Sequence, residues 1–378
     1  HGSVYGEPLI YAESIDDFLP MTSSPSLAVP SWLGLLATRV DERIAQVLDD
    51  DSKRWVALDA GLADPLDSLR AIVLSGGKRL RPAFCHWAFV GMGGDPEDPA
   101  VIDAGAALEL LHTFALIHDD VMDGSTRRHG VETIHEEFAG RHRRAGWRGD
   151  ADRFGTGVAI LAGDLAFVYS GMLLTGAPRA AIEVWNDLRL EVNVGQYLDL
   201  DGTARDNASA ERARRICVYK SGKYTIERPL HLGAALACPE RLGQVINELS
   251  DYGLPLGEAF QLRDDQLGAF GDPEVTGKPV GEDLREGKPT LLYALARRQA
   301  SPAQTGLLNA RFGRPDLTEP EVLAIQEIFE STGARDHVES VIDGLVDRAL
   351  EAADRLPLEV GATDALVDLA HFVTRRDY

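Results

Sequence analysis

Apolar residues recur at intervals of three and four along most of this chain, which is the spacing of one face of an α-helix. One series runs from Trp32 to Val47, and another runs from Val338 to Leu356. Alternating apolar and polar runs bounded by turn residues, which strands require, are not evident. Glycine and proline clusters, such as residues 93–96, separate the helical intervals. The pattern predicts an all-α fold, a large bundle of antiparallel helices.

Two segments do not follow the helical pattern. Residues up to 30 combine proline, serine and acidic residues without a period, and they open with His1-Gly2-Ser3, which resembles the remnant of a cleaved tag. We predict a mobile arm over residues 1–30 and a single helical domain over 31–378, because no linker divides the remainder. Residues 140–157 are rich in arginine, glycine and aspartate, so we expect an exposed loop at one end of the bundle.

Composition argues against several classes of partner. The 378 residues are 44% hydrophobic, enough for a large core, and carry a formal net charge of -22. This charge disfavours nucleic acid and anionic membrane surfaces, and no stretch reaches the roughly 18 uninterrupted apolar residues of a membrane span. Three scattered cysteines indicate neither a disulfide framework nor a zinc site, so we expect a cytoplasmic location. An anionic substrate would require metal ions or clustered basic residues.

The first candidate site is an aspartate-rich stretch that ends a predicted helix over residues 106–123. Asp119 and Asp123 are one turn apart on one face, and His112 lies within about 20° of Asp119. Asp120 points about 100° away, so we expect it at the rim or at a second metal. A solvated helix end is the plain alternative, but aspartates at a helix C-terminus oppose its dipole. Oxygen ligands without cysteine indicate magnesium or manganese.

A second acidic stretch lies at residues 260–265. Gln261, Asp264 and Asp265 are spaced by three and four residues, so they can share one side of a helix. The two aspartates are further candidates for metal binding. Gly268 occupies the position where a third carboxylate would complete the motif.

Basic residues accompany both acidic stretches. Lys78 and Arg81 lie within residues 76–82, at a turn into a helix, and can face the same way. Arg128 follows the first stretch, and Lys278 follows the second in a Gly-Lys turn that lets the backbone approach an anion. Each could be an ordinary solvated turn, but such clusters are unexpected in so acidic a chain. A diphosphate bridged by magnesium would use all these elements.

Together the motifs resemble the trans-isoprenyl diphosphate synthases, also called polyprenyl synthetases, over roughly residues 70–300. The resemblance implies helices around a central tunnel, a homodimer, and a magnesium-dependent condensation of isopentenyl diphosphate with an allylic diphosphate. In this family the allylic substrate ionises, and its cation alkylates the double bond of isopentenyl diphosphate. A proton is then lost, and the departing diphosphate is the expected base.

The resemblance also implies a role for each motif residue. The magnesium ligands, followed by two supporting carboxylates, are Asp119, Asp123, Asp264, Asp120 and Asp265. The residues that hold the allylic diphosphate are Arg128, Lys220, Lys278 and Gln261, with Ser221 beside Lys220. The residues that bind isopentenyl diphosphate are Lys78, Arg81 and His112, together with whatever stands at the second position of an arginine pair.

Two positions depart from the family pattern. Counted without a gap from Asp123, the arginine pair falls on Arg128 and His129. A one-residue deletion would instead make the pair Arg127 and Arg128, but we prefer the ungapped count. A neutral histidine would hold diphosphate less firmly than arginine. Gly268 stands in place of the last aspartate of the second motif, which is expected to weaken metal binding there.

Product length in this family depends on residues just before the first motif, which form the floor of the tunnel. Here they are Phe114 and Ala115, five and four residues before Asp119. One aromatic beside one small residue resembles a geranylgeranyl (C20) synthase, whereas two bulky residues would favour farnesyl (C15). Phe114 can also serve core packing.

Three other functions fit part of the pattern. A terpene cyclase would share the helices and the aspartate motif, but it has no use for Lys78 and Arg81. A metal phosphohydrolase would use His118 and Asp119, but it needs further histidine ligands. A non-catalytic subunit of a heteromeric synthase would tolerate both departures, but it has no need of an intact first motif.

Overall fold

The computed structural model describes residues 30–128, 130–205, 209–271 and 281–374 of the chain. Almost all of this part is helical, which confirms the all-α prediction. The α-helices in chain order are α1 (Ser31–Leu58), α2 (Ala63–Val73), α3 (Leu80–Gly91), α4 (Pro99–Asp123), α5 (Ile134–Ala145), α6 (Ala151–Met172), α7 (Arg179–Ala204), α8 (Ala210–Ile216), α9 (Arg228–Ala237), α10 (Leu242–Phe270), α11 (Glu282–Glu286), α12 (Leu291–Gln299), α13 (Pro302–Arg311), α14 (Glu319–Ser331), α15 (Ala334–Ala353) and α16 (Val360–Thr374). A π-helix (Cys217–Glu227) joins α8 to α9, and β1 (Arg127–Arg128) pairs with β2 (Val131–Glu132).

The two apolar series at the ends of the domain do form helices. α1 turns Val40 and Ile44 into the core, where both are fully buried. α15 contains the second series except Leu356, which lies just beyond its end and is also buried. The predicted arm over residues 1–30 lies outside the described residues except for Pro30, so it stays a prediction.

Helix α4 forms the centre of the core and carries the first aspartate motif. It packs against α1, α3, α6 and α9, and it is apolar on most of its circumference, as expected of a buried helix. Asp98 caps its N-terminus, and Gly124 ends it in the left-handed conformation at φ 68°. The aspartates therefore lie in the last turns of a rigid central element.

Helices α4 and α6 are long and apolar enough to cross a membrane, judged by length and composition alone. The apolar window is 72% buried in α4 and 39% buried in α6. Both together are weak evidence for a membrane span, because helices in the core of a folded protein have the same composition.

The expected loop over residues 140–157 is wrong. α5 continues to Ala145, and α6 begins at Ala151 after a short turn that contains Gly146 at φ 62°. Asp150 accepts a hydrogen bond from the backbone N–H of Arg153 and so caps α6. The polar composition comes from two exposed helix ends, whose solvated faces carry no apolar period.

Candidate active site

One cavity of about 590 Å³ lies between α4, α10 and the π-helix. The predicted site residues that line it are Lys78, Arg81, His112, Asp119, Asp120, Arg128, Lys220, Ser221, Gln261, Asp264 and Asp265. Among the described residues, Asp123, Phe114 and Ala115 are not part of this lining. His129 and Lys278 lie outside the described residues. The folded chain thus brings the three separate sequence motifs to one cavity.

Asp119, near the end of α4, lies at one wall of the cavity. It is surrounded by positively charged side chains and hydrogen-bond donors. Its carboxylate accepts hydrogen bonds from Gln196 Nε2 at 2.8 Å and from Lys220 Nζ at 3.1 Å. Burial by itself would raise the pKa of Asp119, but Lys220, Lys288 and Arg128 outweigh it and hold that pKa well below its usual range. Asp119 is therefore a carboxylate anion in the site.

Asp120 does not lie at the rim, contrary to expectation. It is only 3% exposed, and its Oδ1 accepts from Arg128 Nε at 2.7 Å and Nη2 at 2.6 Å. Arg128 reaches this position on the β1–β2 hairpin, which turns through Gly130 at φ 80°. Two residues per strand are too few to produce a visible alternation in sequence. Asp120 therefore holds Arg128 at the edge of the first motif, and it also lines the cavity.

Asp123, the last residue of the first motif, is held by Lys288. The Lys288 ammonium lies 3.2 Å from Asp123 Oδ2 and 2.7 Å from Glu286 Oε2, and it also lines the cavity. The carboxylates of Asp283, Glu286 and Asp123 raise the pKa of Lys288 well above its usual value, although burial opposes them. Lys288 was not among the predicted site residues. Its only signal in the sequence is a second Gly-Lys-Pro turn after Lys278.

The π-helix presents Lys220 to the first motif. Lys220 Nζ donates to Asp199 as well as to Asp119. A Cβ atom at Gly195 would lie 2.3 Å from the Lys220 backbone nitrogen, so α7 reaches the π-helix only because it has glycine there. π-helical segments are frequent at functional sites. Their wider turn shifts the helical period, which is why periodicity did not indicate this segment.

Arg81 forms a second, separate cationic region of the cavity. It is buried, and its Nη2 donates to the hydroxyls of Tyr224 at 2.7 Å and Thr225 at 3.0 Å. Tyr224 in turn lies 3.2 Å from His112 Nδ1. No ion pair between described residues involves Arg81, and its buried Nε has no hydrogen-bond partner among them. A buried cation with an unused donor is suited to binding an anion.

The turn before α3 and the first turn of that helix contain three basic residues close together in sequence, and Arg79 among them is bound inside the protein. Arg79 adopts the left-handed conformation at φ 47°, and its guanidinium binds Asp41, Glu109 and the Val73 carbonyl inside the protein. Lys78 and Arg81 line the cavity together with Arg79. Lys78 lies in the turn before α3 and Arg81 lies in its first turn, so both face the cavity although only Arg81 is helical.

Helix α10 supplies the opposite acidic wall. Gln261, Asp264 and Asp265 all line the cavity, as their spacing predicted. Gln261 Nε2 donates to Asp265 Oδ1 at 2.7 Å. Burial, together with the carboxylate of Asp283, raises the pKa of Asp265 to about 7. The carboxylates of Asp264, Asp265 and Asp283 therefore lie close together at this wall.

Comparison with known proteins identifies the architecture. Residues 65–329 match the family model of the polyprenyl synthetases. The chain belongs to this family. A short chain isoprenyl diphosphate synthase of Methanothermobacter thermautotrophicus is 32% identical over 345 residues, which cover 89% of this chain and 95% of that protein. A crystal structure of geranylgeranyl pyrophosphate synthase from Corynebacterium glutamicum, complexed with isoprenyl diphosphate and magnesium, has a TM-score of 0.85 at 37% identity, covering 90% of this chain and 98% of that one.

The relatives differ in the product that their names state. A geranylfarnesyl diphosphate synthase of Aeropyrum pernix is 30% identical over 307 residues, 79% of this chain and 89% of that protein. Other relatives are named as farnesyl and octaprenyl diphosphate synthases. Membership of the family establishes a trans-prenyltransferase that uses isopentenyl diphosphate and an allylic diphosphate. Family membership does not determine the length of the product.

The geometry gives no support to a phosphohydrolase. His118 Nε2 lies 3.1 Å from the Ile160 carbonyl, and the His118 ring packs at 4.7 Å from that of Phe114. In the described ranges no three histidine, cysteine or acidic side chains form a group that could hold a metal by themselves. A histidine cluster of the kind that such an enzyme requires is thus not built from these residues.

The acidic side chains nonetheless fit the magnesium that the polyprenyl synthetase family implies. Asp119, Asp264, Asp265 and Asp283 all line the same cavity with carboxylate oxygens, the donors that magnesium prefers. Burial and the neighbouring Asp283 carboxylate raise the pKa of Asp265, and a bound divalent cation would favour its ionised form. A metal bridged by a diphosphate could use donors from both walls without a preformed cluster.

The residues expected to limit product length lie behind the first motif. Phe114 is half-buried between two of the core clusters, and its ring centroid is 4.9 Å from that of Phe167 on α6. Arg189 of α7 lies over the Phe167 ring, with its guanidinium carbon 5.2 Å from the ring centroid. Ala115 is half-buried beside Phe114. Phe114 and Phe167 thus pack between α4 and α6, outside the lining of the cavity.

Proposed function

We propose that this protein is a magnesium-dependent prenyltransferase that extends an allylic diphosphate with isopentenyl diphosphate to an all-trans product, geranylgeranyl diphosphate (C20). One observation carries the proposal. A single cavity contains an acidic region with lysines, and a separate cationic region in which the buried Arg81 donates to the hydroxyls of Tyr224 and Thr225. Two diphosphates with different requirements would use both regions, whereas a terpene cyclase would need only the first.

The acidic region would bind the allylic diphosphate. Asp119, Asp123 and Asp264 would hold magnesium, which when bound would neutralise charge on the leaving diphosphate. Lys220, Lys288 and Arg128 already stand against the first motif and can hold the same oxygens from the protein side. Preorganised positive charge of this kind stabilises the departing group in the transition state.

The cationic region would bind isopentenyl diphosphate through Lys78 and Arg81, with His112 beside Tyr224. Its position in the same cavity would direct the double bond of isopentenyl diphosphate toward the allylic carbon. The allylic carbon–oxygen bond would break first, with its electron pair leaving on the diphosphate, and the double bond would then attack the allylic cation to form the new carbon–carbon bond. A proton then leaves to the departing diphosphate. Apolar side chains of the lining, such as Leu116 and Phe260, would keep water from the cation.

A product assay tests this function. Purified protein would receive isopentenyl diphosphate with dimethylallyl, geranyl or farnesyl diphosphate, with and without magnesium, and the dephosphorylated products would be sized by mass spectrometry. We expect a magnesium-dependent C20 alcohol. A C15 alcohol alone would retain the enzyme class and refute the C20 product. A cyclic hydrocarbon formed without isopentenyl diphosphate would indicate a cyclase instead.

Phe114→Ala is expected to lengthen the product beyond C20. The substitution removes the ring that packs on Phe167, and so opens space between α4 and α6. The measurement is the chain-length distribution from farnesyl diphosphate and excess isopentenyl diphosphate. Phe154→Ala is the matched control, because this α6 ring packs against Phe138 and His142 instead. An unchanged C20 product from the first variant would contradict a floor at Phe114.

We also propose a homodimer that forms through α6 and α7. Exposed apolar side chains repeat along both helices: Leu161, Val168 and Met172 on α6, and Leu190, Val194 and Tyr197 on α7. Their exposed fractions range from 51% to 66%. The two helices are neighbours, since Arg189 lies over Phe167. An apolar surface of this kind, repeated over two adjacent helices, supports a protein interface.

Leu161→Glu is expected to shift the protein from dimer to monomer. A charge at a buried interface position would be desolvated without a partner. Light scattering coupled to size-exclusion chromatography would measure the mass. Leu323→Glu on α14 is the matched control, because this leucine is 60% exposed, close to the 64% of Leu161. A dimer that persists in the first variant would contradict this interface.

A further inference from the structure

The second aspartate motif lacks its last carboxylate. Gly268 follows Asp264 by four residues and Asp265 by three, so its α-carbon lies on the face of α10 that carries them. Gly268 itself lines the cavity. A glycine in the interior of a helix costs about 1 kcal/mol relative to alanine, so its presence here requires a reason.

The space beside Gly268 is occupied by another carboxylate. A Cβ atom built on Gly268 would lie 2.1 Å from Oδ2 and 2.5 Å from Cγ of Asp283. Any side chain at position 268 would therefore displace the Asp283 carboxylate. The third acidic group is present at this turn of α10, but it comes from a different part of the chain.

Asp283 is held there by the short helix α11. This helix lies between Gly281 and Gly287, both at φ 72°. It buries Leu284 in a hydrophobic cluster that also contains Leu262 of α10 and Val322 of α14. The Asp283 carbonyl accepts hydrogen bonds from the backbone N–H groups of Gly287 and Lys288. The position of its carboxylate is thus determined by packed backbone and not by an exposed loop.

The same segment connects the two acidic walls. Asp283 meets α10 at Gly268, and five residues later Lys288 reaches Asp123 at the end of α4. Both side chains line the cavity. The segment 283–288 therefore contacts both acidic walls.

We propose that Asp283 supplies the third carboxylate of the second motif and takes part in binding magnesium with Asp264. The inference rests on the proposed function and assigns a residue that the motif itself does not contain. On this proposal Gly268 leaves space for the Asp283 carboxylate, so the missing aspartate at position 268 need not weaken the site.

Manganese binding in the presence of inorganic diphosphate tests this role apart from turnover. Free manganese would be counted by electron paramagnetic resonance during titration of the full chain. We expect Asp283→Asn to raise the manganese Kd by roughly tenfold or more. Glu282→Gln is the matched control, since it removes the same charge from the adjacent residue of α11, which also lines the cavity. Its effect is expected to be clearly smaller.

A double substitution that moves the carboxylate from position 283 to position 268 is a second test. Gly268→Asp combined with Asp283→Gly moves the acid to the motif position and removes the collision, so it is expected to recover most of the lost affinity. Gly268→Asp alone is expected to bind manganese less tightly than the double variant, because the carboxylates at positions 268 and 283 then collide in one space.

The outcomes separate this inference from the function on which it rests. Equal losses in Asp283→Asn and Glu282→Gln, or no loss in either, would overturn the role of Asp283 while the unchanged protein still binds manganese and makes product. An unchanged protein that binds no manganese with diphosphate would overturn both proposals. Circular dichroism of each variant would show that it is folded.

Discussion

Asp119→Asn is expected to lower kcat for prenyl transfer by about 10²–10³-fold, comparable to the loss of one preorganised charge-stabilising group in other enzymes. The substitution removes a carboxylate that is ionised in the site and accepts from Gln196 and Lys220. The charge that we propose to bind magnesium is lost, and among the described residues Lys220 keeps Asp199 as its acidic partner. Steady-state rates with saturating substrates and magnesium would measure the effect.

The matched control for this prediction is Asp347→Asn. Asp347 is an exposed aspartate on α15, so its substitution removes the same charge from the solvated surface. We expect no more than a small change in kcat from the control. An Asp119→Asn protein that retains more than about a tenth of the original kcat would contradict a role of Asp119 in ionisation of the allylic substrate.

Arg81→Met is expected to raise KM for isopentenyl diphosphate by about 10²-fold, with little effect on KM for the allylic substrate. Charge-assisted hydrogen bonds contribute about 1.5–3 kcal/mol each, and the buried Arg81 has donors left for the ligand after its bonds to Tyr224 and Thr225. Arg81→Lys is expected to be intermediate, because an ammonium cannot reproduce the planar pair of donors. Initial rates with each substrate varied in turn would separate the two constants.

Arg144→Met provides the control for Arg81. Arg144 is exposed near the end of α5, so its loss lowers the total positive charge equally without touching the cavity. We expect both KM values to be unchanged in this variant. If Arg81→Met raised the two KM values together, the separate cationic region would not be specific for isopentenyl diphosphate.

Short-range spacing accounts for what could be predicted of the fold and site. The helical faces of Asp119 and Asp123, and of Gln261 and Asp265, follow from three- and four-residue intervals that a helix converts to neighbours. The order of the motifs and the excess of basic residues beside them indicated a diphosphate enzyme. The errors concern segments that are short or solvated, such as the hairpin and the ends of α5 and α6, where no apolar period exists.

Contacts between distant parts of the chain could not be predicted in this way. Asp120 lies on the same helix as Asp119, but its task is decided by a hairpin whose strands have two residues each. Lys220 reaches Asp119 across 101 positions, and only because Gly195 lets α7 approach the π-helix. Such pairs depend on how elements pack against one another, which local spacing does not specify.

The sequence by itself determined that the chain is helical and which aspartates share a helical face, and it predicted several basic residues of the cavity but not Lys288. Tertiary structure alone decided which cation meets which carboxylate, and that Asp283 fills the gap left at Gly268. The physical reason is one of distance. A helix places residues three and four apart side by side regardless of context, whereas the position of a side chain from another helix is determined by packing of the whole core.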